Sequence, residues 1–93
     1  MIRSFRCRET EKIFHRLWSK KFPPQIQRTA LRKLEIIHAA TSINDLRIPP
    51  ANHLKALKGN KTGRHSIRIN NQWRICFKWE ENNAYEVEII DYH

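Results

Sequence analysis

Ninety-three residues suffice for one domain, 1–93, with a thin core, because a chain of this size buries only about 60% of the surface its unfolded form exposes. The 40% hydrophobic content comes in short periodic clusters, which fits a small globular domain better than disorder. No apolar run approaches the roughly 18 residues of a membrane span, and Met1 to Arg6 lack the h-region of a signal peptide. The expected location is therefore the cytoplasm, with no membrane contact. All 18 Lys and Arg fall in residues 1–79 against four acids, a segment charge of +14, while the last 14 residues hold five acids and no Lys or Arg. Such a segment suits a polyanion, since each cation set on a phosphate releases counterions. An acidic protein surface would satisfy it as well.

Ile2, Ser4 and Arg6 alternate with Arg3, Phe5 and Cys7, which predicts a short first strand. Thr10 and Glu11 open a helical pattern in which Ile13, Phe14, Leu17 and Trp18 form one apolar stripe, with Lys12, Arg16, Lys20 and Lys21 facing elsewhere. Pro23-Pro24 ends this helix or starts the next. From Pro24 to about Ala40, Ile26, Ala30, Leu34 and Ile37 supply a second stripe, broadened by Leu31. Thr41 to Leu57 has no clean period, and Pro49-Pro50 bars a regular element there. It reads as a connection ending on Leu54 and Leu57 as core anchors. Gly59 and Gly63 bracket a turn through Asn60-Lys61-Thr62, with the wrong spacing for a P-loop.

Strand periodicity follows. Arg64, Ser66 and Arg68 lie on one face and His65, Ile67 and Ile69 on the other. After a turn at Asn70-Asn71, Trp73, Ile75, Phe77 and Trp79 alternate with Arg74, Cys76 and Lys78. Asn82-Asn83 leads into a last strand in which Tyr85, Val87 and Ile89 alternate with Glu86, Glu88 and Ile90. The expectation is an α+β fold: two N-terminal helices packed on one face of a twisted, mainly antiparallel sheet with a C-terminal three-strand meander. The other face would set Arg68 and Arg74 on neighbouring strands, close enough to grip one phosphate.

Cys7 and Cys76 have no metal-ligand spacing and are expected to be reduced. Neither the five histidines nor the carboxylates form a zinc or magnesium pattern, so neither metal nor cofactor is expected. His65 is expected to be a hydrogen-bonded interior residue, His15 and His38 ordinary surface or boundary residues, and Trp73, Phe77 and Trp79 core.

Leu54-Lys55-Ala56-Leu57-Lys58-Gly59, Gly63-Arg64-His65-Ser66-Ile67-Arg68-Ile69-Asn70, Gln72-Trp73-Arg74-Ile75-Cys76-Phe77 and Asp91-Tyr92-His93, together with Met1-Ile2-Arg3-Ser4-Phe5, resemble the HigB toxins of the RelE/ParE superfamily. The resemblance covers nearly the whole chain and is closest to the subgroup typified by the GraT toxin. It implies a RelE-like fold and a bacterial type II toxin that enters the ribosomal A site and cuts mRNA. The implied partners are the 70S ribosome, mRNA and a HigA-type helix-turn-helix antitoxin, with operator DNA met only through the antitoxin.

The same resemblance implies Lys58, Arg68 and Arg74 in phosphate and transition-state contacts, and Asp91, Tyr92 and His93 in proton transfer or base positioning. Lys55, Lys61 and Arg64 complete the expected RNA contacts. The chain departs from the family pattern at Lys55, where some HigB proteins carry histidine; His53 is out of register. Metal-free RNA cleavage needs proton transfer at two oxygens, and His93 has the unperturbed pKa nearest neutrality, which makes it the first choice for general acid or base. Its α-carboxylate is expected to favour the protonated ring, and a C-terminal tag to impair activity more than folding. The alternative expectation for Tyr92 is stacking on a base. The competing readings are a ParE-like gyrase inhibitor and a non-catalytic RNA- or ribosome-binding protein.

Overall fold

The structure is a computed structural model describing residues 1–59 and 63–92. Thr10 and Ile13 bury one face of a short helix, α1 (Arg8–Phe14), whose first turn sets Glu9 and Glu11 at the positive end of the helix dipole. The helix stops after Phe14, so the expected stripe through Leu17 and Trp18 is not built. Arg16 turns left-handed (φ +64); its N–H donates to the Ile13 carbonyl, and the Leu17 N–H donates to the Lys12 carbonyl. These are the paired bonds of a Schellman ending. Arginine stands where glycine is usual, with its guanidinium 2.9 Å from the Glu35 carboxylate. Leu17 and Trp18 are left 58% and 62% exposed, and this stretch anchors on buried Phe22 instead, whose ring meets Trp73 edge-on at 5.6 Å.

Pro24 opens α2 (Pro24–Ala39) where its missing N–H is no loss, and Ile26, Ala30, Leu34 and Ile37 are buried as expected. Gln27 joins them. Its amide donates to the carbonyls of Ser19 and Phe22 (2.6 and 2.8 Å) and accepts the Ser19 N–H (3.2 Å), tying the linker to α2. From Thr41 the connection makes two 3₁₀ turns, Ile43–Arg47 and Pro50–Asn52, the first opened by a Ser42–Asp45 capping box. Its anchors are Leu46 and Asn52, both fully buried; Leu54 packs against the core and Leu57 is half-buried. Gly59 and Gly63 both take positive φ (+72 and +90), while the turn expected between them, Asn60-Lys61-Thr62, lies outside the described residues.

No period marks β1 (Lys55–Ala56), a two-residue edge strand that pairs with β2 (Arg64–Arg68). β2, β3 (Trp73–Glu80) and β4 (Asn83–Asp91) complete one antiparallel sheet in sequence order, the last three forming the expected meander. Ile67, Ile75 and Ile89 line up across it beneath the helices, with Phe77, Ala84 and Val87 beside them, all buried. Trp73 and Trp79 pack against this core half-buried.

β4 does not alternate uniformly. Lys78 pairs with Tyr85 but Cys76 pairs with Glu88, so both Glu86 and Val87 stand opposite Phe77, and Glu86 is left-handed (φ +52). This bulge puts Tyr85 on the open face and Ala84, Val87 and Ile89 in the core, against the expected single row of Tyr85, Val87 and Ile89. It also explains why residues 2–7 make no strand. They meet the edge of β4 as two parallel bridges, Ile2 with Ala84 and Phe5 with Val87, on either side of the bulge, where the Ser4 Oγ accepts the Glu86 N–H (2.9 Å). No described helix is long and apolar enough to cross a membrane.

Two buried polar groups generate predictions. Thr10 Oγ1 accepts the Ile89 N–H at 3.0 Å, docking α1 on β4. Thr10→Val should strand that amide and cost about 1–3 kcal/mol, read as a lower urea midpoint at unchanged slope. His65 stacks on Phe77 (6.3 Å) on the inner face, and its Nδ1 is buried with no hydrogen-bond partner among the described residues, against the expectation of a hydrogen-bonded ring. Burial, reinforced by Arg47, lowers its pKa. The unfolded chain then takes up the proton first, so stability present above about pH 6.5 is lost as the pH falls. A His65→Leu chain should show a shallower loss of urea midpoint between pH 7 and 5 than the native chain.

Candidate functional site

The register of the β2–β3 hairpin builds the site. Arg68 stands opposite Arg74; two residues along, Ser66 stands opposite Cys76, with Lys55 on its other side. All of these share the open face, away from the helices. Asn70 sets the turn, its Oδ1 accepting the N–H groups of Gln72 (2.9 Å) and Trp73 (2.8 Å). Asn71 then accepts from Arg68 Nη2, so the same turn that fixes the register also holds the first guanidinium.

Arg74 is held more tightly. Its Nε donates to Ser66 Oγ (2.8 Å), and its Nη2 donates to the carbonyls of His53 (2.5 Å) and Ser66 (3.3 Å). None of these bonds uses Nη1. Burial lowers the Arg74 pKa, partly offset by Tyr92 and Cys76, with Arg68 adding to the lowering; an arginine remains charged throughout. His53 takes a left-handed backbone (φ +45) just before β1, at the point where its carbonyl meets Arg74.

Tyr92 completes the cluster. Its N–H donates to the Gln72 carbonyl (2.6 Å), carrying the β3–β4 pairing one residue past the strand end. Its ring lies 5.4 Å from Lys55 Nζ and 5.6 Å from Arg74 Cζ, and its hydroxyl accepts from Lys55 Nζ (3.4 Å). Asp91 sits beside it, its Oδ2 accepting from Gln72 Nε2 (3.1 Å). His53, Leu54, Lys55, Arg68 and Arg74 enclose an open pocket of about 490 Å³. Among the described residues, three cations and no carboxylate line it, a charge distribution that favours an anion.

Among the residues singled out from sequence, Lys55, Arg68, Arg74 and Tyr92 thus come together, with Asp91 at their margin. Lys58 is exposed beyond β1 and lines no part of this pocket. Arg64 lies towards the far end of β2, 16% exposed and 3.0 Å from Glu86. Lys61 and His93 lie outside the described residues. Ser66, Gln72 and the His53 carbonyl were not singled out. Only Ser66 carried a signal, as the small residue between two arginines on a polar strand face.

A family model described as the RelE-like toxin of type II toxin-antitoxin system HigB matches residues 3–93. Toxin HigB-1 of Vibrio cholerae serotype O1 is 46% identical over 70 residues, which span 75% of this chain and 70% of that protein. Endoribonuclease HigB of Proteus vulgaris is 31% identical over 93 residues, the full length of both. Among solved structures, a YoeB-YefM complex from Staphylococcus aureus contains a chain that superposes with a TM-score of 0.63 at 20% identity, over 100% of this chain and 95% of that one. At that identity the likeness is one of fold.

Two neighbouring guanidiniums repel unless an anion lies between them. Inorganic phosphate should therefore raise the unfolding midpoint, following RT ln(1 + [L]/Kd), relative to chloride at equal ionic strength. The increment should shrink markedly in an Arg68→Gln, Arg74→Gln double variant; an equal increment there would place the anion elsewhere.

Proposed function

The chain belongs to the HigB-like family of RelE-like toxins of type II toxin-antitoxin systems, and on that footing we propose that it is a metal-independent endoribonuclease cutting mRNA in the ribosomal A site. The observation that carries this reading is the pocket, lined by no carboxylate among the described residues, in which Arg74, fixed by three hydrogen bonds, faces Tyr92 beside Lys55 and Arg68. The name of the Proteus vulgaris relative, an endoribonuclease, supports it.

Cleavage proceeds by attack of the ribose 2′-oxygen on the adjacent phosphorus as its proton leaves. The bond from phosphorus to the 5′-oxygen breaks, and that oxygen takes up a proton. The products are a 2′,3′-cyclic phosphate and a 5′-hydroxyl. Negative charge builds on the non-bridging oxygens, where Arg68, Arg74 and Lys55 meet it. Ser66 and the two carbonyls hold Arg74 in place before the charge develops, which keeps reorganisation small. Tyr92 orients the nucleotide by stacking, His93 carries the protons, Asp91 positions this terminal pair, and Lys58, Lys61 and Arg64 add contacts to flanking RNA.

The pocket is open and grips a phosphate without walls that would align the 2′-oxygen, phosphorus and 5′-oxygen. An mRNA already ordered by the ribosome supplies that alignment. The toxin would thus act in the cytoplasm, within the GraT-like subgroup. A HigA-type helix-turn-helix antitoxin would neutralise it, and only through that antitoxin would it meet operator DNA.

The test is mRNA cleavage by the purified chain with and without programmed 70S ribosomes, alongside Arg74→Gln, Tyr92→Phe and His93→Ala. Cuts in A-site codons are expected only with ribosomes. Arg74→Gln should slow them by about 100-fold or more while ribosome affinity changes only a few-fold. Intact mRNA with the native chain would overturn the assignment in favour of gyrase inhibition or simple RNA binding, and unaltered cleavage in all three variants would move the nuclease site away from these residues.

A further inference from the structure

β1 pairs only with His65 and Ser66, so among the described residues no strand pairs with this edge of β2 from Ile67 onward, and the 3₁₀ turn Pro50–Asn52 approaches it instead. A groove of about 460 Å³ opens there, lined by Thr29, Arg32 and Lys33 of α2, Pro49 and Ala51 of the connection, and Arg68. Arg68 is the common wall: it lines both this groove and the pocket it shares with Arg74. No carboxylate lines the groove, and neither Arg32 nor Lys33 forms an ion pair with a described residue. Their partners are neutral. Arg32 Nη2 lies 3.4 Å from Thr29 Oγ1, and Lys33 Nζ donates to Oδ1 of Asn52, whose Nδ2 is itself bonded to the carbonyls of Leu46 and Ile48. Lys33 is partly buried, and burial together with Arg32 lowers its pKa. Cations placed side by side at this cost, with no acid supplied, are satisfied by an external anion.

We propose that this groove is a second subsite for the RNA strand, where Arg32 and Lys33 hold the phosphates flanking the one gripped by Arg68 and Arg74. The inference rests on the endoribonuclease reading for the identity of the polyanion. One continuous strand fits because the two cavities share a side chain, so a chain leaving the pocket past Arg68 enters the groove without crossing acidic surface. Pro49 and Ala51 give the groove an apolar wall for a ribose or base. Neither Arg32 nor Lys33 reaches the reacting atoms; both set affinity and the register of the strand.

The experiment measures binding of a single-stranded 2′-O-methyl oligoribonucleotide, which cannot be cleaved, across a salt series. It compares the native chain, Arg32→Gln, the Arg32→Gln, Lys33→Gln double variant, and Arg28→Gln. Arg32 is exposed and has no carboxylate partner, so its variant tests the idea even if loss of the Lys33–Asn52 bond loosens the connection. Arg28 lies on the same helix but outside this groove, lining a separate cleft with Arg16, Leu17 and Trp18. The slope of log K against log[salt] should shrink by about 0.7 for each phosphate contact removed in the first two variants and stay unchanged in Arg28→Gln. Equal slopes in all four proteins would overturn the subsite. So would a loss seen only on 70S ribosomes, which would assign these cations to ribosomal RNA. Cleavage is read separately: a native chain that binds the oligonucleotide through Arg32 yet leaves ribosomal mRNA intact would sink the nuclease and keep the subsite.

Discussion

The Arg74 guanidinium ties together side chains and carbonyls of three parts of the molecule on the open face. From β3 it reaches the Ser66 hydroxyl and carbonyl of β2 and the His53 carbonyl of the connection, and its outer face meets the Tyr92 ring. A half-buried cation without such bonds would be costly to keep. With them, it fixes where the irregular connection approaches the sheet and so where Lys55 projects. The anion pocket follows from how one charged side chain is satisfied.

The way these cations are satisfied also separates two kinds of positive charge. Arg6, Lys12, Arg16, Arg64 and Lys78 each stand beside a carboxylate. Arg32, Lys33, Lys55, Arg68 and Arg74 are instead held by hydroxyls, amides and carbonyls. A neutral acceptor fixes a side chain's direction and leaves its charge intact. A carboxylate at the same distance would fix it equally well and cancel the field a phosphate must feel. The exposed ion pairs elsewhere contribute little stability individually; those of Glu80 and Glu88 lie on the open face too, but along β3 and β4 away from the pocket lining.

Helix α2 and the β2–β3 hairpin were legible because their periods are clean and their turn chemistry is local: Pro24 opens one and Asn70 closes the other. The pairing of Arg68 with Arg74 followed from that hairpin alone. The end of α1 and the bulge in β4 were not legible, because the left-handed positions are Arg16 and Glu86 and no glycine announces them. Leu17 and Trp18 then extend an apolar pattern that the backbone has already abandoned. Within the site, the charged residues stood out from their types, whereas the grip on Arg74 comes largely from backbone carbonyls, which every residue carries. The groove by α2 was hidden for a related reason: its cations come from a helix whose other face is core, and the groove forms only where Pro49 and Ala51 of the aperiodic connection meet that helix.

The bulge at Glu86 acts on the end of the chain as a frameshift acts on a message. Before it, odd-numbered residues of β4 look outward, as Tyr85 does; after it, even-numbered residues do, as Glu88 and Ile90 do opposite Cys76 and Arg74. Tyr92 inherits the second frame and so arrives over Arg74. Kept in the first, it would point towards the helices. One surplus residue thus decides on which side of the sheet Tyr92 lies, so the spacing between Ala84 and Tyr92 constrains the site separately from the core positions Val87 and Ile89. Lineages of this fold should conserve the length of that stretch even where they exchange its outward-facing side chains.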